Sequence, residues 1–226
     1  MATRHVLADL AGAAAEAGLG DVEIESVGGV DAEQRIAAGE AFDLVFLAAG
    51  ALKRLADAGH VDAGTVTPLV VSQVAAAVAS GDAEPAARPD SAAFDDADGV
   101  RTALRAATAI GYSTGPSGTA LVEMIEGWGL AEELGDRLVQ ARPGVPVAAS
   151  LAAGDVDLGF QQLSELVGQP GVRILGVLPA DCAIETVFAG AVAARAAAPD
   201  AAARVLAQLA SPEAEPIKAA HAFGAA

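Results

Sequence analysis

The sequence carries one cysteine, Cys182, in 226 residues, which excludes an intrachain disulfide and a cysteine-based metal cluster. Its three histidines, His5, His60 and His221, are scattered, and none has a partner at metal-ligand spacing, so neither a metal site nor a cofactor is expected. Positive charge is also scarce. Thirteen Lys and Arg face 30 Asp and Glu, a formal net charge of -17 that repels nucleic acid and anionic lipid headgroups at long range. Long apolar runs are missing too: the mean hydropathy of +0.43 comes from alanine-rich stretches. Gly, Pro or charge breaks each of them before ~20 residues, so no membrane insertion is expected. Behind Met1 the pattern Val6, Leu7, Leu10, Ala14 is amphipathic, not the apolar centre of a secretion signal. The chain as written reads as cytoplasmic, and as extracytoplasmic if an upstream signal peptide is omitted.

What is present is an alternation of short strand-like runs and helical stretches. Val22 and Ile24 alternate with Glu23 and Glu25, the mark of a strand with one wet face, and Gly28-Gly29 then turns the chain. Asp31 with Gln34 reads as a capping box for a short helix, with Gly39 just past its end. Leu44 to Leu47 reads as a buried strand, and Leu52, Leu55 and Ala56 mark a helix closed by Gly59. Pro68 to Ala79 is a long strand, followed by an exposed loop from Gly81 to Pro89. A second series follows: strands at 109–112, 138–139, 156–160 and 172–178, and helices at 117–126 and 147–153. Glu185 to Ala193 is another long strand, and two Ala-rich helices, 199–209 and 212–223, end the chain. Repeated β-α-β units argue for an α/β protein of mostly parallel sheets flanked by helices. The two long strands suggest two lobes: 1–80 with 183–226 as lobe I and 81–182 as lobe II. Ligands of open α/β sheets collect at the carboxyl ends of strands, which puts the expected ligand cleft between the lobes.

Several segments at predicted strand ends carry chemistry. Ser113-Thr-Gly-Pro-Ser-Gly118 joins a strand to a helix, so hydroxyls of Ser113, Thr114 and Ser117 and helix-start amides converge on a place for an oxyanion or carboxylate. An ordinary turn with Ser117 as N-cap accounts for the same residues. No Gly-Lys-Ser/Thr follows, so this is not a nucleotide P-loop. Gly115-Pro-Ser117-Gly-Thr119 lacks the last glycine of a hydrolase nucleophile elbow. Ser26-Val-Gly28-Gly29 offers a second set of amides. Thr3 and Arg4 precede the first helix, where Arg4 is able to fork onto a carboxylate, although terminal arginines are commonly solvated. Phe160-Gln161-Gln162-Leu163-Ser164-Glu165-Leu166 follows a strand with amides that can orient a polar ligand or bond the neighbouring loop. Glu165 is a base if desolvated and a surface glutamate otherwise. Trp128 reads as a packing residue and Cys182 as a small apolar filler.

Taken together, four stretches resemble the type 2 periplasmic-binding-fold proteins of the molybdate-binding group. They are Gly39-Glu-Ala-Phe-Asp-Leu-Val45, Ala109-Ile-Gly-Tyr-Ser-Thr-Gly-Pro-Ser-Gly118, Gly154-Asp-Val-Asp-Leu-Gly-Phe-Gln-Gln-Leu-Ser-Glu-Leu166 and Gly176-Val-Leu-Pro179. The resemblance implies two α/β lobes around a cleft and a small anionic ligand, an oxyanion or a di- or tricarboxylate. It also implies a partner permease of an ABC transporter. By position it assigns ligand contact to Thr3, Arg4, Ser26, Gly28, Gly29, Ser113, Thr114, Gly115, Ser117, Gly118, Pro146, Val147, Phe160, Gln161 and Gln162. Aconitate isomerase, a relative in the same group, is similar in the Gly-Phe-Gln-Gln segment. It makes a proton-moving isomerase the alternative, with Glu165, His5 and Tyr112 as catalytic candidates. Arg4 suits a carboxylate better than an oxometallate. Members open with a β-strand before the Thr-Arg loop. That strand is absent here, and an upstream start that supplies it is expected.

Overall fold

The structure, a computed structural model, describes residues 2–142 and 144–226. In chain order the regular elements are α1 (Arg4–Glu16), α2 (Gly29–Ala37), β1 (Leu44–Ala48), α3 (Ala49–Asp57), β2 (Thr67–Ala79), α4 (Ala97–Ala106), β3 (Ile110–Tyr112), α5 (Pro116–Gly127), α6 (Ala131–Leu134), β4 (Leu138–Gln140), α7 (Val147–Ala153), β5 (Leu158–Gln162), α8 (Leu163–Leu166), β6 (Val172–Val177), β7 (Glu185–Val192), α9 (Pro199–Leu209) and α10 (Glu215–Ala220). The chain divides into two compact units, Met1–Ser72 with Thr186–Ala226, and Gln73–Glu185.

In the first unit the helical spacing of Val6, Leu7, Leu10 and Ala14 gives α1 one apolar stripe. That stripe packs with Leu69 and Val70 of β2, Val205, Leu206 and Leu209 of α9, and Phe223. Burying a Leu or Val side chain of this kind stabilises by about 1.5–3 kcal/mol. A second cluster joins Val45 and Leu47 of β1 to Ile36 of α2, Leu52 and Leu55 of α3, and Ala189 and Ala191 of β7. β1 and β7 pair antiparallel, from Leu44 opposite Val192 to Ala48 opposite Phe188.

Two local expectations fail in this unit. The capping box does not form: α2 starts at Gly29, its N-cap Gly28 has no side chain to offer, and Asp31 lies inside the first turn. There the carboxylate faces the positive end of the helix dipole. The other end of α2 behaves as read. Gly39, at φ 84, donates to the Ile36 carbonyl and Glu40 to that of Arg35, a Schellman closure. The expected strand at 22–25 is likewise not a strand, since residues 20–28 carry no regular element. Val22 and Ile24 still turn inward onto the α1 cluster, so the alternation is real. Among the described residues no neighbouring strand supplies the backbone ladder that a strand requires.

The second unit holds a sheet ordered β6-β2-β5-β3-β4. Only β5-β3-β4 is parallel, with Ile110 opposite both Leu158 and Leu138. β2 runs antiparallel to β5 and to β6, so the expected parallel arrangement is confined to half of this sheet. Its core gathers Val74 and Ala76 of β2, Val100 and Leu104 of α4, Ile110, Leu121 and Ile125 of α5, Leu158, Phe160 and Leu178. α4, which the sequence reading passed over, is capped by Asp96, whose side chain accepts from the Gly99 amide at 2.9 Å. Opposite that core, α7 lies so close to β3 and β5 that only glycine fits beneath it. A Cβ on Gly159 would sit 2.7 Å from Val147 Cγ1 and 2.8 Å from Leu151 Cδ1.

Candidate functional site

The parallel ladder fixes where three of the expected ligand segments go. β3, β4 and β5 run the same way, so the chain leaves them, at Ser113, Ala141 and Leu163, from one end of the second unit. The last pair of the β3–β5 ladder is Tyr112 opposite Phe160, so Ser113 and Gln161 each follow directly on a paired residue.

The Ser113 loop is the best defined of them. Gly115 is the N-cap of α5, Pro116 takes the first turn, and Ser117 lies inside the helix, so Ser117 is not the cap. The Ser113 and Ser117 hydroxyls are hydrogen-bonded to each other at 2.9 Å, and Ser117 is only 4% exposed. Gly118 permits this arrangement. A Cβ there would lie 1.8 Å from the Ser113 carbonyl oxygen and 3.2 Å from its Oγ. The first turn of α5 and the Ser113 backbone are thus in direct contact, which presents two paired hydroxyls at a helix N-terminus. Thr114 is exposed in the same loop.

The end of β5 and the start of α8 form a polar cluster with a different character. Gln161 is 3% exposed, and its Oε1 accepts from the Ala148 amide in the first turn of α7 at 3.4 Å. The Gln161 side chain also favours the charged form of the Glu165 carboxyl. Glu165 is half-buried, not the surface glutamate of the simpler reading. Burial pushes its carboxyl above the ordinary carboxylate range, and the Gln161 hydrogen bond pulls against that shift. Next to it the Ser164 Oγ is buried with no hydrogen-bond partner among the described residues.

Other candidates serve packing. Phe160 is a core residue at 2% exposure, and Val147 is fully buried against Gly111 and Gly159, so neither offers its side chain to a ligand. Tyr112 leans on the same core. Gln162 is buried in β5, and Pro146 is the N-cap of α7, whose Ala148 amide is already taken by Gln161. Trp128 packs against the core with the Arg101 guanidinium 4.9 Å from its ring. Burial raises the Cys182 thiol to about 11, with Asp181 adding to the shift, so it is protonated at neutral pH.

In the first unit, Arg4 and His5 occupy the exposed first turn of α1, with Thr3 as N-cap, so Arg4 lies inside the helix and not ahead of it. Ser26 is exposed, and Gly28 and Gly29 open α2. Among the described residues no group of three or more His, Cys, Asp and Glu side chains is placed to hold a metal ion, and no helix is long and apolar enough to cross a membrane.

The sequence reading passed over two contacts, the one between Gln161 and α7 and the clamp on the start of β3. In the clamp the Asp157 carboxylate accepts from the Thr108 and Ala109 amides at 2.9 Å and from the Thr108 hydroxyl at 2.9 Å. The aspartate in Gly154-Asp-Val-Asp-Leu-Gly was the available signal for the clamp.

Known proteins match this architecture. The chain is 32% identical over 180 residues to a Pseudomonas protein named aconitate isomerase, a match that spans 80% of this chain and 66% of that relative's length. In structure it is similar to the periplasmic molybdate-binding protein of Azotobacter vinelandii, with a TM-score of 0.75, 20% identity, and 98% and 95% of the two chains covered. It is also similar to L-phospholactate-bound PEB3 of Campylobacter jejuni, with a TM-score of 0.66, 13% identity, and 98% and 95% covered. At these identities the two structures establish the type 2 periplasmic-binding fold. A family model described as bacterial extracellular solute-binding protein matches residues 1–224. The chain therefore belongs to the bacterial extracellular solute-binding proteins.

Proposed function

We propose that the protein binds a small anion, an oxyanion or a carboxylate, through the loops at the carboxyl ends of β3, β4 and β5, and passes it to an ABC-type permease outside the cytoplasm. The observation that carries this reading is the Ser113–Ser117 hydroxyl pair, 2.9 Å apart at the N-terminus of α5, with Gly118 holding the two segments in contact. Donors fixed before the ligand arrives need little reorganisation to bind charge. For Thr3, Arg4, Ser26, Gly28 and Gly29 the proposal stands as read from the sequence, donors at the starts of α1 and α2. A thermal-shift panel of molybdate, tungstate, sulfate, citrate, cis- and trans-aconitate tests the reading. A ligand at 100 times its Kd adds about 2.7 kcal/mol of apparent stability. Ser113→Ala and Arg4→Ala each remove a hydrogen bond to a charged ligand, a loss of about 1.5–3 kcal/mol in binding. Unchanged affinity in both variants would move the site elsewhere.

One observation favours a second reading, an isomerase that moves a proton on a tricarboxylate. Glu165 is half-buried with its carboxyl shifted upward, the direction in which a general base approaches working pH, and the identity to a relative named aconitate isomerase points to the same chemistry. The test is interconversion of cis- and trans-aconitate followed by NMR. Turnover that disappears in Glu165→Gln while binding persists supports the enzyme; no turnover at high protein concentration leaves binding as the function.

A further inference from the structure

An anion bound by a chain of formal net charge -17 calls for a cation that is not already spent on a carboxylate. The second unit holds six arginines and no lysine. Arg101 is paired with Asp98 and lies over the Trp128 ring, and Arg105 is paired with Glu133. Arg137 donates to the carbonyls of Arg105, Ala107 and Glu133, and Arg88 is engaged as well. Arg173 is the second residue of β6. Since β5 and β6 both run antiparallel to β2, they run the same way, and Arg173 lies at the end where these strands begin. Arg142 remains. It is exposed, with no hydrogen bond or ion pair among the described residues. An exposed arginine is commonly just solvated, and the backbone around this one argues for more. The Ala141 amide donates to the Tyr112 carbonyl at 2.8 Å. Arg142 directly follows the donor and Ser113 directly follows the acceptor, so their Cα atoms lie within about 10 Å. On its other side Arg142 opens a closed turn. Its carbonyl accepts from the Val145 amide at 3.0 Å, and Gly144 takes φ 78, the left-handed conformation that such a reversal requires at its third position.

We propose that Arg142 is a further ligand-binding residue, the cation that the second unit adds to the Ser113 and Ser117 hydroxyls on a bound anion. The inference rests on the anion-binding reading and supplies the charge that the serines lack. Two neutral hydroxyls fix where one oxygen of the anion sits. A guanidinium adds N–H donors in a planar fork, which two oxygens of a carboxylate or an oxyanion can accept together. The backbone that carries Arg142 is tied to β3 before it and closed into a turn after it, so the charge stands near the serine pair before an anion arrives. No carboxylate has to release it first, unlike Arg101 and Arg105.

Isothermal titration of molybdate, sulfate, citrate and trans-aconitate into the full chain and into Arg142→Ala, Arg142→Lys and Arg173→Ala tests this. Melting temperature without anion checks folding, and all three variants should melt with the parent. The parent is expected to bind at least one of the four anions. For that anion Arg142→Ala should weaken binding at least about tenfold, the scale of one hydrogen bond to a charged group. Arg142→Lys keeps the charge and loses the fork, so it should recover part of that loss. Arg173→Ala removes the same charge at the far end of the strands, where salt screens it, and should leave affinity within about twofold of the parent. Parental affinity in Arg142→Ala, or an equal loss in Arg173→Ala, overturns the role of Arg142 while leaving anion binding intact. If none of the four anions binds the parent, the anion-binding reading itself falls and this inference falls with it.

Discussion

At the scale of single residues, the structure turns on contacts too close to tolerate one extra carbon. Gly118→Ala places a Cβ where the Ser113 carbonyl oxygen stands, 1.8 Å away. The loop and the first turn of α5 must separate, at a cost of about 1–3 kcal/mol typical of overpacking. Chemical denaturation should show that loss, and ligand affinity should fall with it because Ser113 moves; full stability and affinity would mean that the contact is loose. Asp157 gives a prediction with a pH sign. Partial burial raises its carboxyl, but hydrogen bonds from Thr108 and Ala109 outweigh that and hold it below the ordinary aspartate value of 3.8. A depressed pKa means that the stabilisation is fully present above the unfolded value, near 3.9, and is lost as pH falls through the lower folded value. Because the carboxylate is exposed, solvent screening leaves about 1 kcal/mol of it. Asp157→Ala should therefore lower stability at pH 7, by a gap that closes as pH falls through the depressed folded value; a gap that stays constant on acidification would contradict the assignment. The serines at 113 and 117 were legible in the sequence because Gly, Pro and Ser announce a turn by local chemistry alone. The burial of Glu165 was not, because it depends on β5 and α8 folding Gln161 against α7.

At the scale of elements, periodicity read well where apolar spacing and terminal signals were local, and poorly where an element needed something beyond its own pattern. α7 and α9 fall where Val147 to Ala153 and Pro199 to Leu209 place them, because apolar spacing and N-terminal Pro carry the information locally. The 22–25 segment has a strand's alternation without a strand's ladder, and no local signal distinguishes the two. α4 was missed for the reverse reason. Its apolar pair Val100 and Leu104 is flanked by Asp and Gly, which read as loop until Asp96 is seen to cap the helix. The glycines of β3 and β5 were quoted as motif letters, and the structure gives them a physical role beneath α7. Gly159→Val forces a branched side chain into the space of Val147 and Leu151, whose atoms lie 2.7–2.8 Å from the added Cβ. The expected outcome is a loss of about 1–3 kcal/mol or more, read as a lower denaturation midpoint. A variant of parental stability would show that α7 slides freely on the sheet.

For the molecule as a whole, the tension to resolve is an anion bound by a chain of formal net charge -17. Surface carboxylates act through water and salt and fade beyond about 8 Å at physiological ionic strength. Paired hydroxyls and helix-start amides act at contact distance in a shielded loop cluster, where each donor counts for more. At the proposed site local geometry would outweigh net charge, so raising salt should leave affinity nearly unchanged or improve it slightly, the reverse of a protein that attracts anions by overall charge. Calorimetric titration at two salt concentrations reads this directly, and a steep loss of affinity with salt would contradict it. The central claim, that the Ser113–Ser117 pair in the second unit holds a small anion, is tested most directly by isothermal titration of a thermal-shift hit into the full chain and into Ser113→Ala/Ser117→Ala. The account predicts a folded double variant whose affinity has fallen at least about tenfold. A double variant that binds the same anion as tightly as the parent would contradict it.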